Sequence, residues 1–441
     1  MAALLEARIA EGDSEAADGN FDPTWRTRAS VAPLSAYKNL RVESMVEQPT
    51  TLWGTRLFGG YRLGLGDFPV YYGDRRTSDF GEFTAGATIP LLRDGPIDRR
   101  RAAVRRAELG IEIARLSAAQ QRIELTRAAE HRYWDWVAAG KRMQIARDLL
   151  GIAVVRDVGL AVRVDRGDIP AFERIENNRA VQQRQAAVVA TERALTQASI
   201  ELSLFLRDAD GKPVVPSPMR LPDGFPEPQA IDASSGARDV QLALKRRPEA
   251  KRLELVASQQ RIERDLADNQ RLVGIDLTGQ VSQDIGPLPP NHSTVTNVVD
   301  PEGLASKLNK TAVSVGVLLD IPILNRVAGG RRDASEASAQ RATEQASFAK
   351  DRIAADVTDT RNAIELSRER VLATRREVSA AKQLEEMERK RFELGDSTLL
   401  IVNLREVAWA ESRIREVDGL ADYHKAVASY RAATARSLPD R

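Results

Sequence analysis

Two short stretches hold the residues best placed to do chemistry: Val164-Asp165-Arg166-Gly167-Asp168 and Arg391-Phe392-Glu393-Leu394-Gly395-Asp396. Each gathers carboxylates and an arginine around a Gly-Asp pair, and the two pairs lie 228 positions apart (395 minus 167). Carboxylates repeated around a pore favour cations and can trap divalent ones, while arginines beside them can pair across subunits. Asp165, Arg166, Asp168, Arg391, Glu393 and Asp396 are therefore candidate gate residues. The plainer reading of the same residues is a polar turn in water, with Gly167 and Gly395 supplying positive φ.

Little else in the chain points to chemistry. It has no cysteine, so a disulfide framework, a thiolate metal site and a cysteine nucleophile are excluded. His131, His292 and His424 are scattered, without HxxxH or HExxH spacing. There is no nucleophile elbow and no phosphate loop. Catalytic, cofactor-binding and metal-ligating residues are accordingly expected to be none, and no cofactor is expected. The arginine-rich run Arg93 to Arg106 could suggest nucleic acid. However, 65 basic residues balance 63 acidic ones, for a net charge of +2, whereas a nucleic-acid binder gathers a basic excess on one face. That run follows a strand and is read as a strand-to-helix junction, its arginines facing a lumen or pairing with Asp94, Asp98 and Glu108. His131 with Tyr133, Trp134 and Trp136 is read as helix packing.

The elements that position the two turns are long. From Pro96 to Arg163, and from Asn325 to Leu394, the chain is rich in Ala, Arg, Glu, Gln and Leu, good helix formers. Each span would reach about 100 Å at 1.5 Å per residue. Ile353, Val357, Thr360, Ile364, Ser367, Val371, Thr374, Val378 and Ala381 alternate steps of four and three. Val407, Ala410, Ile414, Val417, Ala421, His424 and Ala428 do the same after the turn. This is a coiled-coil seam with small residues at half its positions. Shorter helices are predicted over Ala171–Leu206 and Ala237–Leu272, with an irregular connector, Arg207–Gln229, between them.

Four segments alternate with period two, as half-buried strands do. Trp25, Thr27, Ala29 and Val31 oppose Arg26, Arg28 and Ser30. Phe83, Ala85, Ala87 and Ile89 oppose Glu82, Thr84, Gly86 and Thr88. Ile275, Leu277, Gly279 and Val281 oppose Asp276, Thr278, Gln280 and Ser282, and Val313, Val315, Val317, Leu319 and Ile321 form a fourth apolar face. The segment between the first two strands, which includes Val46 to Phe80, is aromatic and glycine-rich and is read as a long loop. The chain thus predicts two structural repeats, residues 1–236 and 237–441, each with helix, two strands, long helix, turn and return helix.

Four strands cannot close a membrane barrel, since such barrels begin at eight. A trimer would supply twelve, with apolar side chains toward lipid and polar ones toward a lumen, and closure would satisfy every edge. The expectation is a mixed α and β membrane protein: four strands per chain in a 12-stranded trimeric β-barrel, continued by a long α-helical coiled-coil barrel. The alternative is a soluble periplasmic coiled-coil adaptor or scaffold, which would share the hairpins but has no use for four strands with an apolar face.

The order and wording of these segments resemble the TolC-type outer-membrane efflux protein family. The residues that carry the resemblance are Glu47-Gln48-Pro49-Thr50, Gly81-Glu82 through Pro90-Leu91-Leu92-Arg93, and Ile97-Asp98 with Arg101-Ala102. Ala129-Glu130-His131-Arg132-Tyr133-Trp134, Arg246-Arg247-Pro248-Glu249 and both Gly-Asp turns add to it. The resemblance implies a homotrimer with its barrel in outer-membrane lipid and a helical tunnel in the periplasm. It also implies an inner-membrane transporter and a periplasmic adaptor as partners, and a tip that opens when the helices near the turns shift. Many members carry a Val-Gly-Leu type sequence at the first turn, where the adaptor docks; here the matching residues are Arg166-Gly167-Asp168, and Leu394-Gly395-Asp396 at the second. In such a place the Arg-Gly-Asp tripeptide is a coincidence with integrin ligands. Matching the helix before the third strand to the N-terminus leads us to expect residues upstream of Met1, with an export signal.

Overall fold

The computed structural model describes residues 2–68, 77–287 and 310–436. His292 lies outside them, as does part of the aromatic segment before Phe80. The chain divides into two units, and each draws on both sequence repeats: Met1–Ala118 with Lys251–Ser347, and Ala119–Ala250 with Phe348–Arg441. The elements in order are α1 (Ala2–Asp18), β1 (Thr24–Ala32), β2 (Asn39–Pro49), β3 (Arg56–Gly66), β4 (Glu82–Pro90), α2 (Arg99–Asp165) and α3 (Ala171–Ser203). They continue with α4 (Gly236–Arg246), α5 (Pro248–Asn269), β5 (Gly274–Asp284), β6 (Thr311–Asp320), α6 (Arg326–Glu393) and α7 (Leu399–Ala433). Among the described residues, no helix is long and apolar enough to cross a membrane.

The first unit is built on one six-stranded antiparallel sheet, with the strands in chain order. All four expected strands are present, as β1, β4, β5 and β6. The count of four is corrected to six, because β2 and β3 occupy the segment read as a loop. Its glycines hid the pattern, yet they are what allows the pairing. Gly60 lies opposite Met45, and a Cβ there would strike the Ser44 carbonyl. A Cβ on Gly86 would strike the Gly279 carbonyl and the Phe58 ring. Bare backbone at these points lets neighbouring strands and rings approach.

The register gives the sheet two unlike faces. Trp25, Val46, Gly59, Ala85, Val281 and Val313 form one continuous cross-strand row. Val31, Leu40 and Leu65 form another. This apolar face is left open: Trp25 is 76% exposed, Val313 and Val315 are each 72%, and Val317 is 66%. On the opposite face Arg28, Glu43, Arg62 and Glu82 follow one another across four strands, with Arg62 2.8 Å from Glu82.

The turn from β2 to β3 packs on the loop that leads from β4 into α2. Trp53 and Gly54 have positive φ. A Cβ on Gly54 would collide with the Asp94 carbonyl, and the Trp53 indole lies against Gly95. Asp94 is itself held: its N–H donates to Asn269 Oδ1 at 2.7 Å, and its carbonyl accepts from Arg101 at 2.7 Å. In the arginine-rich run Arg101 pairs with Asp98 at 3.3 Å, as expected. Arg93 instead reaches Asp320 at 2.5 Å, and Arg106 pairs with Glu263. Glu108 makes no ion pair with the described residues.

The second unit is helical, and most of the seam read from the sequence is buried or half-buried; Val407, read as its first member on α7, is instead exposed, because the helix turns Glu406 inward. Ile353, Val357, Ile364 and Val371 are buried and pack with Leu420, Tyr423 and Tyr430 of α7. Ala138 and Ile145 of α2 pack with Ala410, Val417 and Ala421, and Trp136, Val137 and Met143 pack with Leu195 and Leu202 of α3. Phe225, from the irregular connector, touches all three clusters. Its ring stacks on Trp134 at 5.7 Å, and Trp134 stacks on His424 at 4.2 Å. The helix expected over Ala237–Leu272 is two helices. Arg247 is extended (φ −69°, ψ 122°), as the clash of the following Pro248 with a helical conformation requires.

Candidate gate at the helix reversals

The chain makes the same turn twice. At the first reversal the Gly167 N–H donates to the Val164 carbonyl and the Asp168 N–H to the Arg163 carbonyl, both at 2.9 Å. At the second, Gly395 donates to Phe392 at 3.1 Å and Asp396 to Arg391 at 2.8 Å. The φ angles of Gly167 and Gly395 are 82° and 84°. These nested bonds are a Schellman motif, in which a left-handed residue after the helix returns the last amides to the orphan carbonyls. Glycine takes that conformation without a Cβ clash. The following residues fan out at once into α3 and α7, behind Pro170 and Thr398.

The structure places Asp165, Arg166 and Asp168 at the first reversal, and Arg391, Glu393, Leu394 and Asp396 at the second, all exposed. The side chains of Asp165, Arg166, Asp168, Glu393 and Asp396 make no ion pair within the described chain. Arg391 folds inward, donating to the Asp396 carbonyl at 3.1 Å and to Glu388 at 3.5 Å. Ser397 donates to the other oxygen of Glu388. A single chain therefore leaves these acidic groups at the turns facing water.

A second set of charges, missed in the sequence, lies next along the helices and is buried. Glu406 on α7 is 1% exposed. It accepts from Arg156 of α2 at 2.6 Å and from Arg184 of α3 at 2.8 Å. Arg184 also donates to the Leu149 carbonyl and to Asn403, so the three helices α2, α3 and α7 are tied through one guanidinium. On α6, Glu385 is 2% exposed and lies 3.3 Å from Arg389, while its Oε1 has no hydrogen-bond partner. Burial pushes the Glu385 carboxyl above its ordinary range; Arg389 opposes the rise and Glu406 adds to it.

A signal for the acidic groups of α6 exists in the sequence. Continuing the four-and-three steps from Val378 and Ala381 leads to Glu385, Glu388 and Phe392. Glu385 and Glu388 thus occupy seam positions one heptad beyond Ala381, whereas Glu406 lies next to the seam position Val407 and has no such signal. Beside them, Ile152, Val155 and Leu160 of α2, Phe392 of α6 and Val402 of α7 line an open groove of about 570 Å³, edged by Arg156, Arg163, Arg389, Glu393 and Glu406. Farther from the turns, burial lowers the pKa of His424, within its stack, and of His131, which bonds Ser429 at 2.9 Å. Both are packing groups. Among the described residues, no cluster of three His, Asp or Glu could hold a metal ion.

No protein-family model matches the sequence, and no curated protein is similar enough to match. Solved structures do match, over 98% of this chain. They include a membrane protein from Pseudomonas aeruginosa (17% identity, 88% of its chain, TM-score 0.67). The outer-membrane protein VceC of Vibrio cholerae matches at 14% identity over 92% of its chain, with a TM-score of 0.64. The open-state outer-membrane channel MtrE of Neisseria gonorrhoeae matches at 16% identity over 85% of its chain, with a TM-score of 0.65. The resemblance to TolC-type efflux channels read from the sequence therefore holds at the level of the fold. These neighbours are membrane proteins and channels, not enzymes.

Proposed function

We propose that this chain, having the fold of outer-membrane channels, is the channel-tunnel of a tripartite efflux pump or a type I secretion system. It is a passive exit duct for solutes handed on by an inner-membrane transporter, and it performs no chemistry. The observation that carries this reading is the sheet. One face is predominantly apolar, its hydroxyls Thr27 and Ser44 bonded to each other, and the other is lined with arginine, glutamate and threonine. That division suits a barrel wall with lipid outside and water inside. A lone sheet leaves two edges, which the hydrocarbon region does not tolerate. A homotrimer closes it and places the helical unit in the periplasm.

The reversals at Arg166-Gly167-Asp168 and Leu394-Gly395-Asp396 are then the periplasmic tip, where a periplasmic adaptor docks. Three copies bring Asp165, Asp168, Glu393 and Asp396 into rings around the bore, with Arg166 and Arg391 available to pair across subunits and hold it shut. The test is the native mass and location of the gene product, expressed from its own gene in Gram-negative cells. A heat-sensitive trimer extracted from the outer membrane supports the duct. A soluble monomer or dimer in the periplasm refutes it and returns the hairpins to an adaptor or scaffold.

A further inference from the structure

The inserted hairpin β2–β3 changes what a trimer of this chain would build. We infer that the barrel has eighteen strands, six from each of three copies, and that it closes by pairing β6 of one copy with β1 of the next. The inference rests on the trimeric duct proposed above.

The first observation is that β2 and β3 are wall strands and not a flap. Adjacent pairs run without a break from Thr24↔Glu47 to Ala32↔Asn39, from Asn39↔Gly66 to Pro49↔Arg56, and from Arg56↔Thr88 to Arg62↔Glu82. The hairpin's apolar residues continue the face set by β4 and β5, and its turn is seated on the loop at Asp94. Removing the hairpin from the wall would break both the β1–β2 and the β3–β4 ladders.

The second observation is the edges. β1 and β6 are exposed along nearly their whole length, whereas β2 and β5 are mostly half-buried. Neither edge strand carries a proline, and β6 carries no charge before its last residue, Asp320. Exposed edges are ordinarily protected by lysine, proline, bulges or inward charges. The β6 edge has none of these and therefore requires a partner strand. With an even number of strands, β1 of a following copy meets β6 antiparallel, and the meander continues.

The third observation is charge. On the polar face, β1 to β3 present Arg26, Arg28, Arg41, Arg56 and Arg62 against Glu43 and Glu47. Strands β4 to β6 present Glu82, Asp276, Asp284 and Asp320 without a basic residue. Each sheet thus begins positive and ends negative, so that joining β6 to β1 of a second copy sets unlike sectors side by side. Barrel diameter grows roughly linearly with strand number. Eighteen strands give a lumen wider by about half than the twelve expected from four strands per chain.

The absence of cysteine leaves a clean background for a direct test. The protein is expressed from its own gene and oxidised in isolated outer membranes, carrying one cysteine in β1 (Thr27→Cys or Ala29→Cys) and one in β6 (Val313→Cys, Val315→Cys or Val317→Cys). At least one β1–β6 combination should convert the monomer band to a covalent trimer on non-reducing gels. Leu57→Cys in β3, combined with the same β6 positions, should give no trimer. End-on images of the purified trimer should count eighteen strands. A trimer of the correct mass in which β6 cross-links to β3 or β4 of the next copy, or whose barrel shows twelve strands, overturns this inference while leaving the duct standing. A protein that is not trimeric overturns both.

Discussion

Glu385 is a carboxylate at a position where the seam would otherwise place an aliphatic group, and Glu406 is a buried carboxylate beside the seam position Val407. For Glu385 the consequence is a pH dependence. A carboxyl whose pKa rises on folding stabilises the fold fully below its unfolded pKa, and that contribution is lost as pH rises through the folded value. Burial raises Glu385, so at neutral and alkaline pH its ionised form opposes folding. Glu385→Gln keeps the shape and removes the charge. Thermal melts should show the variant more stable than the parent at pH 8, by about 1 kcal/mol, with little difference near pH 4. An equal effect at both pH values would mean that burial of the charge is not the cause. Glu406 is the opposite case, because two arginines depend on it. Glu406→Ala leaves the Arg156 and Arg184 guanidinium groups without their counter-charge and should cost roughly 3–5 kcal/mol. Denaturant titration of helical circular dichroism, beside the milder Glu406→Gln, measures it. The sequence marked Glu385 only through the continued seam and did not mark Glu406. Which of the neighbouring arginines would turn toward them depends on how α2, α3 and α7 pack, and no single helix encodes that.

At the scale of elements, the long helices, the two reversals and four of the strands were legible because each follows a period its own residues can sustain. The Gly-Asp pairs were legible because a helix ending in a left-handed residue strongly favours glycine. Gly167→Ala and Gly395→Ala keep the chain length but force a Cβ into that conformation, at a cost of about 1 kcal/mol each. Nothing lies within 4 Å of either position to collide with the new methyl group, so the cost is conformational alone. Hydrogen exchange should quicken in the last turns of α2 or α6 respectively, and asparagine at the same sites should restore most of the protection. The hairpin β2–β3 was missed for a different reason. Gly59, Gly60, Gly64 and Gly66 supply no side chain to either face, so the alternation Leu57, Tyr61, Leu63, Leu65 is interrupted when read along the strand. It becomes visible only in register, where Leu57 stands beside Ala87 and Tyr61 beside Phe83. The break at Arg247 was available in the sequence, since the Pro248 ring restricts the residue before it, but the helical composition on both sides outweighed one proline.

At the scale of the whole molecule, repetition is the organising fact, and it was legible because the same order of strand, long helix, glycine turn and return helix occurs twice. What repetition cannot supply is the arrangement of copies, since the acidic groups at the turns make no ion pair among the described residues. Each chain brings four carboxylates to the reversals, Asp165, Asp168, Glu393 and Asp396, against Arg166 and Arg391. Three copies would surround a narrow bore with an excess of negative charge, and such rings favour cations. Purified protein in planar bilayers should then be cation-selective, and millimolar divalent cations on the tip side should lower its conductance. Asp168→Asn with Asp396→Asn keeps the turns, since asparagine also serves after a left-handed glycine. The double variant should lose most of the divalent block and shift the reversal potential toward neutrality. Raising monovalent salt should weaken selectivity in the parent, as the screening length shrinks from about 10 Å at 0.1 M to about 3 Å at 1 M. If block and selectivity survive the double substitution, the controlling charges lie elsewhere. The acidic ends of β4 to β6 would then be the next to neutralise.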